Sequence, residues 1–147
     1  MPDLEPLDLT TWLPAHFDAL WSGHPRGYSI SVVVPDGPTV IAVEPAAFGQ
    51  AIDNVVDNAF KYGSLATPVV VTVAVRGGSV VLSVENLGTN IPEAGRGRVF
   101  EQPGRGLTVA AEIIGGFGGK IAALPHRDGA RIAIVLPEYT AAIAFDT

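Results

Sequence analysis

Strand-like segments come in pairs along this chain, and each pair is set off by a helical pattern. That order constrains the fold more than any other feature. β-branched runs over 28–34 and 39–43 flank the turn Pro35-Asp36-Gly37-Pro38. A second pair, over 69–75 and 80–85, reads as a hairpin around Gly77-Gly78, and a third, over 120–124 and 130–136, surrounds Asp128-Gly129. Between them lie a short helix over 11–21, capped by Thr10, a long one over 45–62, and one over 107–114 closed by Gly115-Gly116. The order α, ββ, α, ββ, α, ββ predicts an α+β chain rather than an alternating parallel sheet. The economical packing is a two-layer sandwich: one mixed, mostly antiparallel sheet with three helices on one face. Residues 1–9, rich in Pro and Asp, are read as an entry segment, with no strand or helix assigned to them. The 147 residues are expected to form a single domain with its core over about 8–137.

Composition removes several function classes. Hydrophobic residues make up 48% and charged residues 16%, the reverse of a disordered chain. The net charge of −6, with Lys61 and Lys120 the only lysines, leaves no basic stripe for nucleic acid or an anionic membrane. There is no Cys, hence no disulfide framework, thiol nucleophile or cysteine zinc site. No apolar run reaches membrane-spanning length, and the acidic start Met1-Pro2-Asp3-Leu4-Glu5 lacks a signal peptide's basic region. The expected location is cytoplasmic.

Three constellations carry chemistry. On the helix over 45–62, which Pro45 opens, Phe48, Ile52, Val55, Val56 and Ala59 form an apolar stripe. Asn54, Asp57, Asn58 and Lys61 fall within about 100° of arc opposite it. They read either as a solvated face or as a metal–phosphate site. Asn is a poor mid-helix residue, and an amide oxygen is a hard neutral ligand acceptable to Mg²⁺. Lys61 would neutralise a phosphate; Tyr62 would pack beside a base or belong to the core. The second constellation is Gly88 with Asn86 and Asn90, after the strand over 80–85; it reads as a turn or as backbone approaching a planar ligand. The third is Gly104-Arg105-Gly106-Leu107, opening a helix whose N-terminal N–H groups suit phosphate. It is neither a Walker loop nor a complete dinucleotide fingerprint.

The run Gln50-Ala51-Ile52-Asp53-Asn54-Val55-Val56-Asp57-Asn58-Ala59-Phe60-Lys61-Tyr62 resembles the N box of sensor histidine kinases. Val84-Glu85-Asn86-Leu87-Gly88-Thr89-Asn90-Ile91-Pro92 resembles their G1 box, Arg98-Val99-Phe100-Glu101 their F box, and Gly104-Arg105-Gly106-Leu107 with Gly118-Gly119-Lys120-Ile121 their G2 region. The resemblance covers about 8–137 and implies the Bergerat ATP-binding fold that these kinases share with gyrase B-type ATPases and Hsp90. It implies ATP and Mg²⁺ as cofactors, with Asn58 on the metal and Asn54 supporting the metal–triphosphate region. Lys61 would contact phosphate, and Tyr62 would line the nucleotide. Asn86 would read the adenine amino group, with Gly88 under the base and Asn90 and Ile91 completing the G1 segment. Gly104, Arg105, Gly106 and Leu107 would hold the lid against the phosphates. In the hydrolysing relatives, and in anti-sigma-factor serine kinases, the position of Asn54 is typically a Glu base. An amide cannot take that proton, which points to transfer of the γ-phosphate to a histidine on a partner rather than to activation of water.

The pattern is not followed throughout. Asn86 stands where Asp is usual, Asn90 where a second Gly is, and Gln102 where a first G2 Gly is; only 13 residues (91–103) separate Asn90 from Gly104. Asn86 can accept from adenine N6, but its NH₂ can also donate to guanine O6, and weaker adenine affinity is the implied consequence. His16, His24 and His126 do not match the family's phosphoacceptor context; His16 is read as a surface or helix-packing residue. The expected partners are therefore a separate dimerisation and phosphoacceptor His domain and, downstream, a response regulator, with the isolated domain a monomer. The chain would be a catalytic domain excised from a longer kinase or half of a split one. Two other readings remain: a degenerate domain of this fold serving as an interaction module, and an anti-sigma-type serine kinase, which Asn54 disfavours. The apolar stretch over 139–145 would pack on the domain or on a partner.

Overall fold

Residues 4–23, 30–62, 68–87, 106–124 and 129–139 are described by the computed structural model. The elements in chain order are β1 (Glu5–Asp8), α1 (Leu9–Trp21), β2 (Ile30–Val33), β3 (Val40–Val43), α2 (Pro45–Tyr62), β4 (Val69–Arg76), β5 (Ser79–Leu87), α3 (Gly106–Gly116), β6 (Lys120–Leu124) and β7 (Gly129–Pro137). The paired-strand order holds. Five strands form one sheet in the order β2-β4-β5-β7-β6, antiparallel except for the parallel pair β2–β4. Gly77 (φ 57°) and Gly78 (φ 82°) make the two-residue turn between β4 and β5; positive φ at both positions gives a turn that matches the right-handed twist of the flanking strands.

Alternation along the strands puts Val69, Val71 and Val73 of β4, Val80, Leu82 and Val84 of β5, and Ile132, Ile134 and Leu136 of β7 into one buried cluster. The same cluster takes Leu9, Leu13, Phe17 and Trp21 from α1, Phe48, Ile52, Val55, Val56 and Ala59 from α2, and Leu107, Ala110 and Ile114 from α3. The three helices thus cover one face, and the stripe expected on α2 is its buried side. On the opposite face Arg131 donates to Ser83 Oγ at 3.2 Å and lies 3.5 Å from Glu85. None of the described helices is long and apolar enough to cross a membrane.

Two corrections concern the start of the chain. The entry segment contains a strand that the sequence did not signal: β1 pairs antiparallel with β3, Glu5 opposite Val43 and Asp8 opposite Val40, as a separate two-stranded ribbon. Pro6, which lacks an N–H, is tolerated there because the strand is an edge. The cap of α1 is Asp8, not Thr10, and the helix begins at Leu9. One carboxylate oxygen of Asp8 accepts from Thr10 N (3.0 Å), Thr10 Oγ1 (2.7 Å) and Thr39 N (3.0 Å), so it ties the helix to the segment before β3.

Burial alone would raise the Asp8 pKa, but the hydrogen bonds from Thr39 and Thr10 outweigh it and hold the carboxyl below the usual aspartate range. A lowered folded-state pKa gives stability that is full above the ordinary aspartate range and is lost as pH falls through the lower value. Asp8→Ala is expected to cost about 1–2 kcal/mol at neutral pH, the scale of a lost N-cap. Urea midpoints of the two proteins should converge on acidification; a gap that stays constant into strong acid would contradict this role for the carboxylate.

Candidate functional site

Helix α2 carries the first constellation. Pro45 occupies its first turn, and the Glu44 carboxylate accepts from Ala46 N (3.3 Å) and Ala47 N (2.6 Å), closing the N-terminus. Asn54 and Asp57 are half-buried, but Asn58 is only 9% exposed. Its burial corrects the expectation that all four polar residues lie opposite the apolar stripe. Asn58 follows the fully buried Ala51 by seven residues, which at about 100° per residue returns it to nearly the same side. It flanks the core rather than facing away from it. Lys61 and Tyr62 are the last two residues of the helix.

Asn86 is the second residue that the structure relocates. It is not in a turn beyond the strand: β5 runs on to Leu87, and Asn86 pairs in register with Ala130 of β7. It continues the series Val80, Leu82, Val84, so its side chain is directed to the helix-covered face, where it is 4% exposed. Its amide nitrogen is buried with no hydrogen-bond partner among the described residues. An unsatisfied buried donor costs about 1–3 kcal/mol, so a strand end carrying one is built against its own stability.

Helix α3 supplies the third side. It starts at Gly106, its second residue Leu107 is fully buried, and it packs chiefly on α2. Its other end is closed by a Schellman arrangement: Gly119 N donates to Ile114 O (3.0 Å) and Gly118 N to Gly115 O (3.1 Å), with Gly118 at φ 82°. With its C-terminal end closed and Leu107 buried, the helix directs its N-terminal N–H groups and their partial positive charge from beside the amide-bearing helix. Gly88, Asn90, Ile91, Gly104 and Arg105 lie outside the described residues, as does the F-box-like run.

Asp53 is a residue that sequence reasoning did not single out. One of its carboxylate oxygens accepts from Trp21 Nε1 at 2.8 Å and meets His16 Nε2 at 2.8 Å. An ionised carboxylate only accepts, so the tautomer of His16 that bonds Asp53 is the one with Nε2–H. The His16 ring stacks on Trp12 with centroids 4.4 Å apart and lies across Gly49, where a Cβ would come within 3.2 Å of its Cε1. His16 thus has the helix-packing role expected of it. A groove of about 550 Å³ between α1 and α2 is lined by Trp12, His16, Leu20, Gln50, Asp53 and Asn54, so Asn54 borders both this groove and the amide face. No local pattern could have revealed the trio, because its members are 32 and 37 residues apart.

Residues 43–140 match the family described as histidine kinase-, DNA gyrase B- and HSP90-like ATPases. The alginate biosynthesis sensor protein KinB of Pseudomonas aeruginosa is 30% identical over 142 residues, 89% of this chain and 24% of that protein. The sensor-type histidine kinase PrrB of Mycobacterium leprae is 33% identical over 109 residues, 74% of this chain and 24% of its own. The chain therefore spans about a quarter of the length of these curated relatives. Among solved structures, the ATP-binding domain of PrrB from Mycobacterium tuberculosis superposes with a TM-score of 0.78 at 26% identity, covering 94% of this chain and 99% of that one. The mycobacterial sensor histidine kinase MprB gives 0.72 at 26% identity, covering 92% and 97%.

Proposed function

Because the chain belongs to the family of histidine kinase-, DNA gyrase B- and HSP90-like ATPases, we propose that it is, as a single domain, the ATP-binding catalytic domain of a sensor histidine kinase. The observation that carries this reading is the pair of buried carboxamides, Asn58 on α2 and Asn86 at the end of β5, bordering the apolar cluster between sheet and helices. A ligand that engages Asn86 offsets the burial of its amide nitrogen, which has no hydrogen-bond partner among the described residues.

The nucleotide base would lie against Asn86, with Gly88, Asn90, Ile91 and Tyr62 around it. Its phosphates would run towards Asn54, Asn58 and Lys61, and the segment Gly104, Arg105, Gly106, Leu107 would close over them from the start of α3. The donors on α2 fit Mg²⁺: Asn58 offers a neutral amide oxygen, suited to an ion that keeps phosphate oxygens and water for its remaining positions. When bound, the ion would supply charge neutralisation on the phosphates. Asn54 cannot serve as a general base, so water is not activated at this position. The γ-phosphate would instead pass to a histidine of a separate dimerisation and phosphoacceptor domain, and from there to a response regulator.

Calorimetric titration of the domain with ATP and ADP, with and without Mg²⁺, tests the reading. Mg²⁺-dependent binding in the micromolar range is expected, followed by transfer of labelled γ-phosphate to a histidine-bearing partner domain. Absence of binding up to millimolar nucleotide would overturn it and leave a protein-interaction module of this fold.

A further inference from the structure

We propose that Asn86 makes the base pocket accept 6-oxo purines as well as adenine, so that the domain takes purine nucleoside triphosphates as a class. The proposal rests on the nucleotide-binding reading above and concerns which base that site selects.

The backbone at residue 86 is held in register with Ala130 of β7, one residue beyond the last β4–β5 pair, Val70 with Glu85. The side chain is therefore presented to the interlayer at a fixed place, with 4% exposure. The charged pair Glu85–Arg131 belongs to the opposite face of the sheet, so it does not bias the polarity around the amide.

A carboxylate at this position would only accept hydrogen bonds. It would match the exocyclic NH₂ of adenine and oppose the O6 of guanine or hypoxanthine. A carboxamide carries a donor and an acceptor side by side. With C=O towards the 6-position, it accepts from adenine N6 and its NH₂ donates to adenine N1. Turned by half a revolution, its NH₂ donates to O6 and its C=O accepts from N1–H of guanine or hypoxanthine. Both arrangements form two complementary hydrogen bonds. Which one forms is decided by whatever else holds the amide, and its nitrogen has no partner among the described residues. Among the described residues nothing on that nitrogen locks the amide into the adenine-reading orientation, and the buried donor finds an acceptor in either base class, N1 of adenine or O6 of a 6-oxo purine.

The test is titration of the intact domain with ATP, GTP and ITP in Mg²⁺, repeated with Asn86→Asp. The wild-type dissociation constants for GTP and ITP are expected within about 10-fold of that for ATP. Asn86→Asp should weaken all three nucleotides together by roughly 10-fold, because the carboxylate keeps one bond to each base, from adenine N6–H or from N1–H of the 6-oxo purine, and faces an acceptor, N1 or O6, where the NH₂ had donated. Wild-type binding of ATP with GTP and ITP weaker by more than about 100-fold overturns the proposal and leaves the kinase reading standing. Failure of all three nucleotides to bind overturns both. The wild-type titrations decide the matter alone, so a variant that does not fold leaves the test intact.

Discussion

Asn58→Ala is expected to weaken Mg²⁺-dependent ATP binding by roughly 100-fold or more while leaving the fold standing. The two halves of this expectation have separate causes. The amide oxygen is the donor on α2 suited to a metal, and Ala has none to offer. Asn58 borders the core at 9% exposure, yet it sits mid-helix, where Ala is the better helix former by roughly 0.6 kcal/mol. Loss of a buried polar group and gain in propensity work against each other, so the thermal midpoint should move by only a few degrees. Asn58→Asp, which keeps an oxygen and adds a charge, should retain Mg²⁺-dependent binding. Calorimetry on the three proteins, with circular dichroism melts alongside, reads both effects. Undiminished affinity of the Ala variant in Mg²⁺ would show that the metal is held elsewhere.

The second large effect is on stability. A Cβ at Gly119 would lie 2.5 Å from the Val135 carbonyl oxygen, 2.5 Å from Leu136 Cδ2 and 3.0 Å from Ile114 Cγ2. The first of these is backbone of the neighbouring strand, next to the Lys120–Val135 pair, and cannot yield without opening the β6–β7 ladder. Gly119→Ala is therefore expected to cost about 1–3 kcal/mol, as overpacking does, lowering the thermal midpoint by roughly 5–10 °C. Gly115 gives the contrast. It lies inside α3, and a Cβ there meets nothing within 4 Å. Gly115→Ala should stabilise by about 0.5–1 kcal/mol. Equal and small effects at both positions would mean that close approach at Gly119 does not govern how α3 joins the sheet. Because α3 carries the N-terminal turn of the proposed phosphate lid, Gly119→Ala should also weaken ATP binding, whereas Gly115→Ala should not.

Much of the architecture was legible in the chain itself. Helix α2 runs over the 45–62 expected from a first-turn Pro and a 3.6-residue stripe, because both signals are contained within the helix. The hairpin around Gly77-Gly78 and the three helices between paired strands were equally local. The N-box-like run by itself places the amides on α2. β1 was not legible: four residues, one of them Pro, carry no strand signal apart from the β3 edge they pair with. Nor was the cap of α1, where Asp8 outcompetes Thr10 because its carboxylate also satisfies Thr39, 31 residues away.

The sequence by itself determined the order and type of the elements, the family likeness, and which residues could carry chemistry. Only the tertiary structure decided which of those residues are withdrawn from water. It made Asn58 an edge of the core rather than a solvated face, extended β5 so that Asn86 became a buried strand residue, and joined Asp53 to His16 and Trp21 across two helices. The physical reason is range. Periodicity, turn chemistry and capping act within a few neighbouring residues, whereas burial and the pairing of polar groups depend on which surfaces meet when the layers close.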